Sequence, residues 1–207
     1  MRRSHADPVT HRLIDLSHSV EDGMVTYRGI PPPAISDFLS RDASRTRYAP
    51  GTEFHIGQIT MAANTGTYLD SPFHRYADGL DLAALRLEQL AELEAVVVRS
   101  VDPAAFLGLE MKGKAVLVHT GWDRHWRTER YFEGHQFLTE QTARHLVRGG
   151  AALVGIDSLN IDATTDGRRP VHTILLGAGI PIVEHLCGLE RLPDAGFRFS
   201  AVPVKVK

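Results

Sequence analysis

Short aliphatic runs separated by turn-forming residues dominate the second half of the chain. Ala95 to Val98, Ala115 to Val118 and Leu153 to Ile156 are apolar at consecutive positions, which predicts short strands, Ala115 to Val118 of a buried type. Thr139, with Gln141 and Thr142 after it, predicts a capped helix running to Arg148, and Gly149-Gly150 predicts its end. Val171 to Leu176 reads as a second helix, stopped by Gly177-Ala178-Gly179, with a strand from Ile180 to Leu186 after it. Phe197 to Val204 closes the chain with loosely alternating apolar residues.

The first half is less regular. Arg12 to Ser17 predicts a strand, and Phe54, Ile56, Ile59 and Met61 predict another with an imperfect alternation. Leu82, Leu85, Leu90 and Leu93 fall near helical spacing and predict a helix over 82–93. The stretch from Glu21 to Pro33 ends in three consecutive prolines and should be extended and irregular, and Arg41 to Gly51 should be a surface loop. Strands and helices interleave throughout, so the class is α/β, with one domain over residues 12–207 and a polar arm over 1–11.

Composition narrows the function classes. A net charge of -2 gives no electrostatic reason to expect nucleic acid or an anionic membrane as partner. No apolar run approaches the ~20 residues of a membrane span, and no apolar stretch follows Arg2 and Arg3, so the expected location is cytoplasmic. The single cysteine, Cys187, excludes an intrachain disulfide and a thiolate cluster. Eleven histidines are the one oddity, and they direct attention to metal or acid–base chemistry. Gly177-Ala178-Gly179 lacks the third glycine of a dinucleotide fingerprint, and Ser158 lacks the flanking glycine of a nucleophile elbow.

The informative stretch runs from Asn64 to His74 and contains Gly66, Thr67, Tyr68, Asp70, Ser71, Pro72 and Phe73. Asp70 and His74 stand four apart with Pro72 between them, so they belong to a turn and not to a regular helix. Taken alone, such a turn is equally a catalytic loop or a solvated one. The segment resembles the signature of the cyclase family, which includes bacterial kynurenine formamidases and isatin hydrolases: His-x-Gly-Thr-His-x-Asp-[Ala/Ser]-Pro-x-His. The glycine, threonine, aspartate, Ser-Pro pair and final histidine match. Further matching segments follow in order: Leu13 to His18, His119 to Trp122, Val154 to Ser158, Pro170 to His172, Ile182 to Glu184, and Gly196 to Lys205.

The resemblance implies a swivelling β/β/α fold, a mixed barrel-like sheet flanked by helices. It implies Asp70, His172 and Glu184 as ligands of one divalent metal, zinc or manganese, and His74 with Glu184 as catalytic groups. Asn64, Tyr68 and Phe73 would then contact a small-molecule substrate, an aryl formamide or cyclic amide, and the protein would be a homodimer or homotetramer. The chain departs from the family at two positions, where Asn64 and Tyr68 replace metal-binding histidines. Three outcomes follow: a mononuclear hydrolase, a metal-free acid–base enzyme that uses the Tyr68 hydroxyl, or a protein that binds a small molecule without reaction. From spacing, Asp157 and Asp162 read as turn residues, His185 as pointing away from the site, and His119 and His125 as packing or surface residues. Glu53 and His55 could reach the pocket, although nothing in the spacing demands it.

Overall fold

Apolar runs that cannot alternate must be covered on both sides, and this rule builds the centre of the protein. The computed structural model describes residues 12–207; the arm expected over 1–11 lies outside them. In chain order the elements are β1 (Ala34–Leu39), α1 (Arg41–Arg45), β2 (Ile56–Thr60), β3 (Tyr68–Asp70), β4 (Leu93–Val98) and β5 (Ala115–Val118). There follow α2 (Glu140–Gly149), β6 (Leu153–Ile156), α3 (Pro170–Gly177), β7 (Ile182–Glu184) and β8 (Ala195–Phe199). Six strands form one mixed sheet in the order β3-β7-β6-β5-β4-β8, with the four inner strands parallel and the two edge strands antiparallel. The parallel strands are those with continuous apolar runs, and Val116, Leu117 and Val118 are fully buried.

Alternate residues of each strand serve opposite faces. Val96, Val116, Val154 and Ile156 face α2 and α3 through Leu146 and Leu175. Ala95, Val97, Leu117 and Val183 face an irregular cover that contributes Leu16, Leu90 and Leu189. Helix α2 opens with Thr139 Oγ1 accepting from the Thr142 N–H and closes at Gly150 with φ 73°. Pro170 opens α3 at a position where a missing N–H costs nothing.

The expected strand at Arg12 to Ser17 is irregular chain, although Leu16 is buried and its carbonyl accepts from the Cys187 N–H. The expected helix over 82–93 is a series of turns with a short 3-10 segment at Leu87–Gln89. Leu85 and Leu90 anchor those turns in the core, and Leu93 already belongs to β4. Near-helical leucine spacing here reflects anchoring of turns against the sheet, which needs no helical hydrogen bonds. The expected surface loop at Arg41 to Gly51 opens as α1, capped by Ser40, whose Oγ accepts from the Ala43 N–H. Strands β1 and β3 went unpredicted; β3 spans three residues, too few to show a period. The strand expected from Phe54 to Met61 narrows to β2, which pairs with β1 in a separate two-stranded ribbon. That ribbon is solvated, with Phe38, Ile56 and Ile59 exposed. Among the described residues no helix is long and apolar enough to cross a membrane.

Candidate active site

The edge pair β3–β7 brings the chemistry together. Its antiparallel register sets Tyr68 opposite Glu184 and Asp70 opposite Ile182. Residues two apart share a face, so Tyr68, Asp70 and Glu184 all project to one side of the sheet edge. The chain leaves β3 through Ser71 into a 3-10 turn at Pro72–His74, and the His74 N–H donates to the Ser71 carbonyl at 2.9 Å. His74 Nδ1 thereby comes 3.3 Å from Asp70 Oδ1. His172, in the first turn of α3, completes the group: its Nε2 lies 3.6 Å from Asp70 Oδ2 and 3.7 Å from Glu184 Oε1. Asp70, His74 and His172 thus bring one donor atom each within 4.8 Å of the other two, and Glu184 lies beside them against His172.

His172 is held from behind by Asp162. The Asp162 carboxylate accepts from the Val171 N–H at 2.8 Å, the His172 N–H at 3.0 Å and the His172 Nδ1–H at 2.7 Å. It satisfies two of the free amides at the start of α3 and fixes the imidazole with Nε2 toward Asp70 and Glu184. Asp162 was expected to be a turn residue; it is buried and works at the site. Asp157, expected in the same role, is fully buried and accepts from the Thr120 N–H, the Thr120 hydroxyl and the Gly121 N–H. No local signal marks Asp162, because it caps a helix that begins eight residues later.

Glu184 is fully buried and heavily bonded. Oε1 accepts from the Ile161 N–H at 2.6 Å; Oε2 accepts from the Tyr68 hydroxyl and, at 3.4 Å, from Asn160 Nδ2. Burial pushes its carboxyl up to about 7. Burial and the charge of Glu184 also push the Tyr68 phenol well above its usual range, so Tyr68 serves as a hydrogen-bond donor. Asn64 Nδ2 donates to Asp70 Oδ1 at 3.3 Å. Both residues that replace histidine thus direct hydrogens at carboxylates. Burial alone would lower His172, but the hydrogen bond to Asp162 and the nearby carboxylates of Asp70 and Glu184 outweigh it and raise the imidazole to about 10.

The donor set suits a divalent cation. Asp70 Oδ2 is buried with no hydrogen-bond partner among the described residues. An orphaned carboxylate oxygen costs ~1–3 kcal/mol or more unless something satisfies it. One donor atom from each of Asp70, His74 and His172 lies within 4.8 Å of the other two. Oxygen and imidazole nitrogen suit zinc or manganese.

The remaining candidates fall around this centre or away from it. Phe73 is exposed at the mouth, beside an open groove of about 1940 Å³ that Asn64, Tyr68, Asp70 and His74 also line. Tyr76 donates its hydroxyl to the Thr173 carbonyl, a packing role against α3. His55 pairs with Asp37 of β1 and Glu53 with Arg45 of α1, so both are engaged away from the site. His119 lies between Arg99 and Asp157, and His125 packs edge-on against Trp122. His185 turns out of β7 with φ 56° into a box of Tyr68, Trp126 and Tyr131, where its Nε2–H donates to the Leu159 carbonyl at 2.8 Å.

Comparison with known proteins converges on one group. The cyclase family model matches residues 14–163. A kynurenine formamidase of Bacillus cytotoxicus is 26% identical over 200 residues, covering 92% of this chain and 89% of that protein. One from Bacillus cereus is 26% identical over 204 residues, covering 94% and 91%. Isatin hydrolase A from Labrenzia aggregata, solved bound to benzyl benzoate, shares the fold with TM-score 0.76 at 20% identity, covering 95% of this chain and 88% of that one.

Proposed function

The chain belongs to the cyclase family, and from that premise we propose that it is a metal-dependent hydrolase of a small-molecule amide, an aryl formamide or a cyclic aryl amide. The observation that carries this reading is the buried, unpartnered Asp70 Oδ2 facing His172 Nε2 at 3.6 Å. Asp70 and His172 would hold one divalent ion, zinc or manganese, with Glu184 beside them. Such an ion, when bound, polarises a carbonyl oxygen and acidifies water. The kynurenine formamidases and isatin hydrolases among its relatives act on molecules of the proposed class, which supports the choice of substrate.

The chain's own residues supply the rest. Asp162 orients His172. Two groups can take and return a proton at the reacting water: His74 at the mouth and Glu184 on the floor. Asn64 and Tyr68 stand beside the reacting position as hydrogen-bond donors, and Phe73 offers an apolar contact for an aryl ring. A second copy of the chain is proposed to cover the ribbon of β1 and β2, because an isolated two-stranded sheet with exposed Phe38, Ile56 and Ile59 gains little stability alone. A homodimer or homotetramer would satisfy this.

The test is elemental analysis of protein purified without chelator, followed by a screen of aryl formamides and cyclic aryl amides. About one equivalent of zinc or manganese, lost together with hydrolysis in Asp70→Ala, is the expected result. A chain that takes up no metal from excess zinc or manganese would instead favour metal-free acid–base chemistry or binding, in which the Tyr68 and Asn64 hydrogen bonds do the work of a cation.

A further inference from the structure

Asp70, His74 and His172 each turn an atom capable of ligating a cation toward one place, and these atoms lie within 4.8 Å of one another. Asp162 occupies Nδ1 of His172, so Nε2 is the ring atom turned inward. Asp70 Oδ2 is unpartnered, and His74 Nδ1 stands 3.3 Å from the other oxygen of the same carboxylate. A tetrahedral ion with bonds of ~2.0–2.1 Å sets its ligand atoms about 3.4 Å apart. His74 Nδ1 is 3.3 Å from Asp70 Oδ1 and His172 Nε2 is 3.6 Å from Asp70 Oδ2, so each imidazole stands about one such edge from the carboxylate, on opposite oxygens.

The other polar groups are committed elsewhere. Glu184 receives the Ile161 amide on one oxygen and the Tyr68 hydroxyl with Asn160 on the other. Tyr68 spends its proton on Glu184, and Asn64 presents its NH2 to Asp70. Each meets its neighbouring carboxylate as a hydrogen donor, not as an acceptor. His74, in contrast, sits on a turn fixed by backbone bonds, from its own N–H to Ser71 and from the Phe73 N–H to Leu80. Its ring reaches the carboxylate without rearrangement.

We infer that His74 is the third protein ligand of the metal in this chain, filling the place left by Asn64 and Tyr68, together with Asp70 and His172. This inference rests on the reading that the site binds a metal. Bound to the ion, His74 no longer passes a proton to the reacting water, which leaves that task to Glu184, steadied by Tyr68.

The test reads metal binding directly. Apoprotein is titrated with Co²⁺ and followed by its visible absorption, for the wild-type chain and for His74→Ala, which should fold because the His74 side chain is 42% exposed. Losing a residue that merely hydrogen-bonds a ligand weakens metal binding by ~10–100-fold. His74→Ala should weaken it by more than ~100-fold and alter the absorption bands, and added imidazole should restore both affinity and spectrum. A smaller loss, or no rescue by imidazole, overturns the assignment of His74 while leaving a metal-binding wild-type site intact. Failure of the wild-type chain to bind Co²⁺, Zn²⁺ or Mn²⁺ overturns the metal reading itself, and the inference with it.

Discussion

His172 faces Glu184 across the site, and His185 follows Glu184 in the chain. Both are buried, with exposures of 5% and 0%, yet their environments push them in opposite directions: His172 is raised to about 10 and His185 is lowered to about 4. Burial disfavours the charged ring in both. His172 overcomes it because Asp162, Asp70 and Glu184 surround the ring with negative charge. His185 has a backbone carbonyl on one nitrogen and aromatic rings around it, and His18 and His135 lower it further against the smaller upward pulls of that carbonyl and of Asp70. Company, not depth, decides whether a buried histidine carries charge. The same company that holds a proton on His172 is what a divalent cation would exploit by displacing that proton, so metal binding should weaken as the pH falls.

The largest expected break in this comparison comes from Asp162→Ala. Removing the anchor leaves His172 and two amides of α3 without their acceptor, and stability in urea should fall by about 3–5 kcal/mol. A loss below about 1 kcal/mol would mean that Asp70 and Glu184 alone hold the ring.

The His185 side is tested by pH. Its folded value lies below its unfolded value, so between about pH 6.5 and pH 4 the unfolded chain binds the extra proton, and this contribution to stability is lost as the solution becomes acidic. At about 1.4 kcal/mol per pH unit, the stability difference between the wild-type chain and His185→Phe should move by about 3 kcal/mol in the variant's favour from neutral pH to about pH 4. Because each measurement subtracts the other titrating groups, an unchanged difference would show that His185 protonates as freely in the folded protein as in the unfolded one.

Tyr68→Phe sharpens the comparison from between the two rings. It removes the hydroxyl donor from Glu184 and should cost about 1–3 kcal/mol at neutral pH. It should also raise the Glu184 carboxyl further above about 7, since the Tyr68 bond lowers it. Carbon-detected NMR titration of labelled glutamate reads this shift, and a Glu184 titration unmoved by the substitution would remove Tyr68 from the proton-handling role.

Much of the parallel core was legible because continuous apolar runs such as Ala115 to Val118 and Leu153 to Ile156 admit few alternatives, and these strands occupy those residues. The Thr139 cap was legible for a similar reason: its partner, the Thr142 N–H, lies in the same turn. The leucines of 82–93 misled because burial at near-helical spacing is also what turns anchored on a sheet produce. Asp70, His74, His172 and Glu184 came from a motif and its resemblance; the structure clusters the first three and sets Glu184 against His172. Asp162 was missed because its partners belong to another element.

The sequence by itself determined which segments must be buried, where α2 begins and ends, and which residue types are available for chemistry; all of these depend on neighbours within a turn or a strand. Only the tertiary structure decided how those residues are used. The β3–β7 register gives Tyr68 to Glu184, and the approach of residues 160–162 gives Glu184 and His172 their hydrogen bonds. A side chain's charge and free lone pairs are set by what it meets across space, and those meetings are made between residues far apart in the chain.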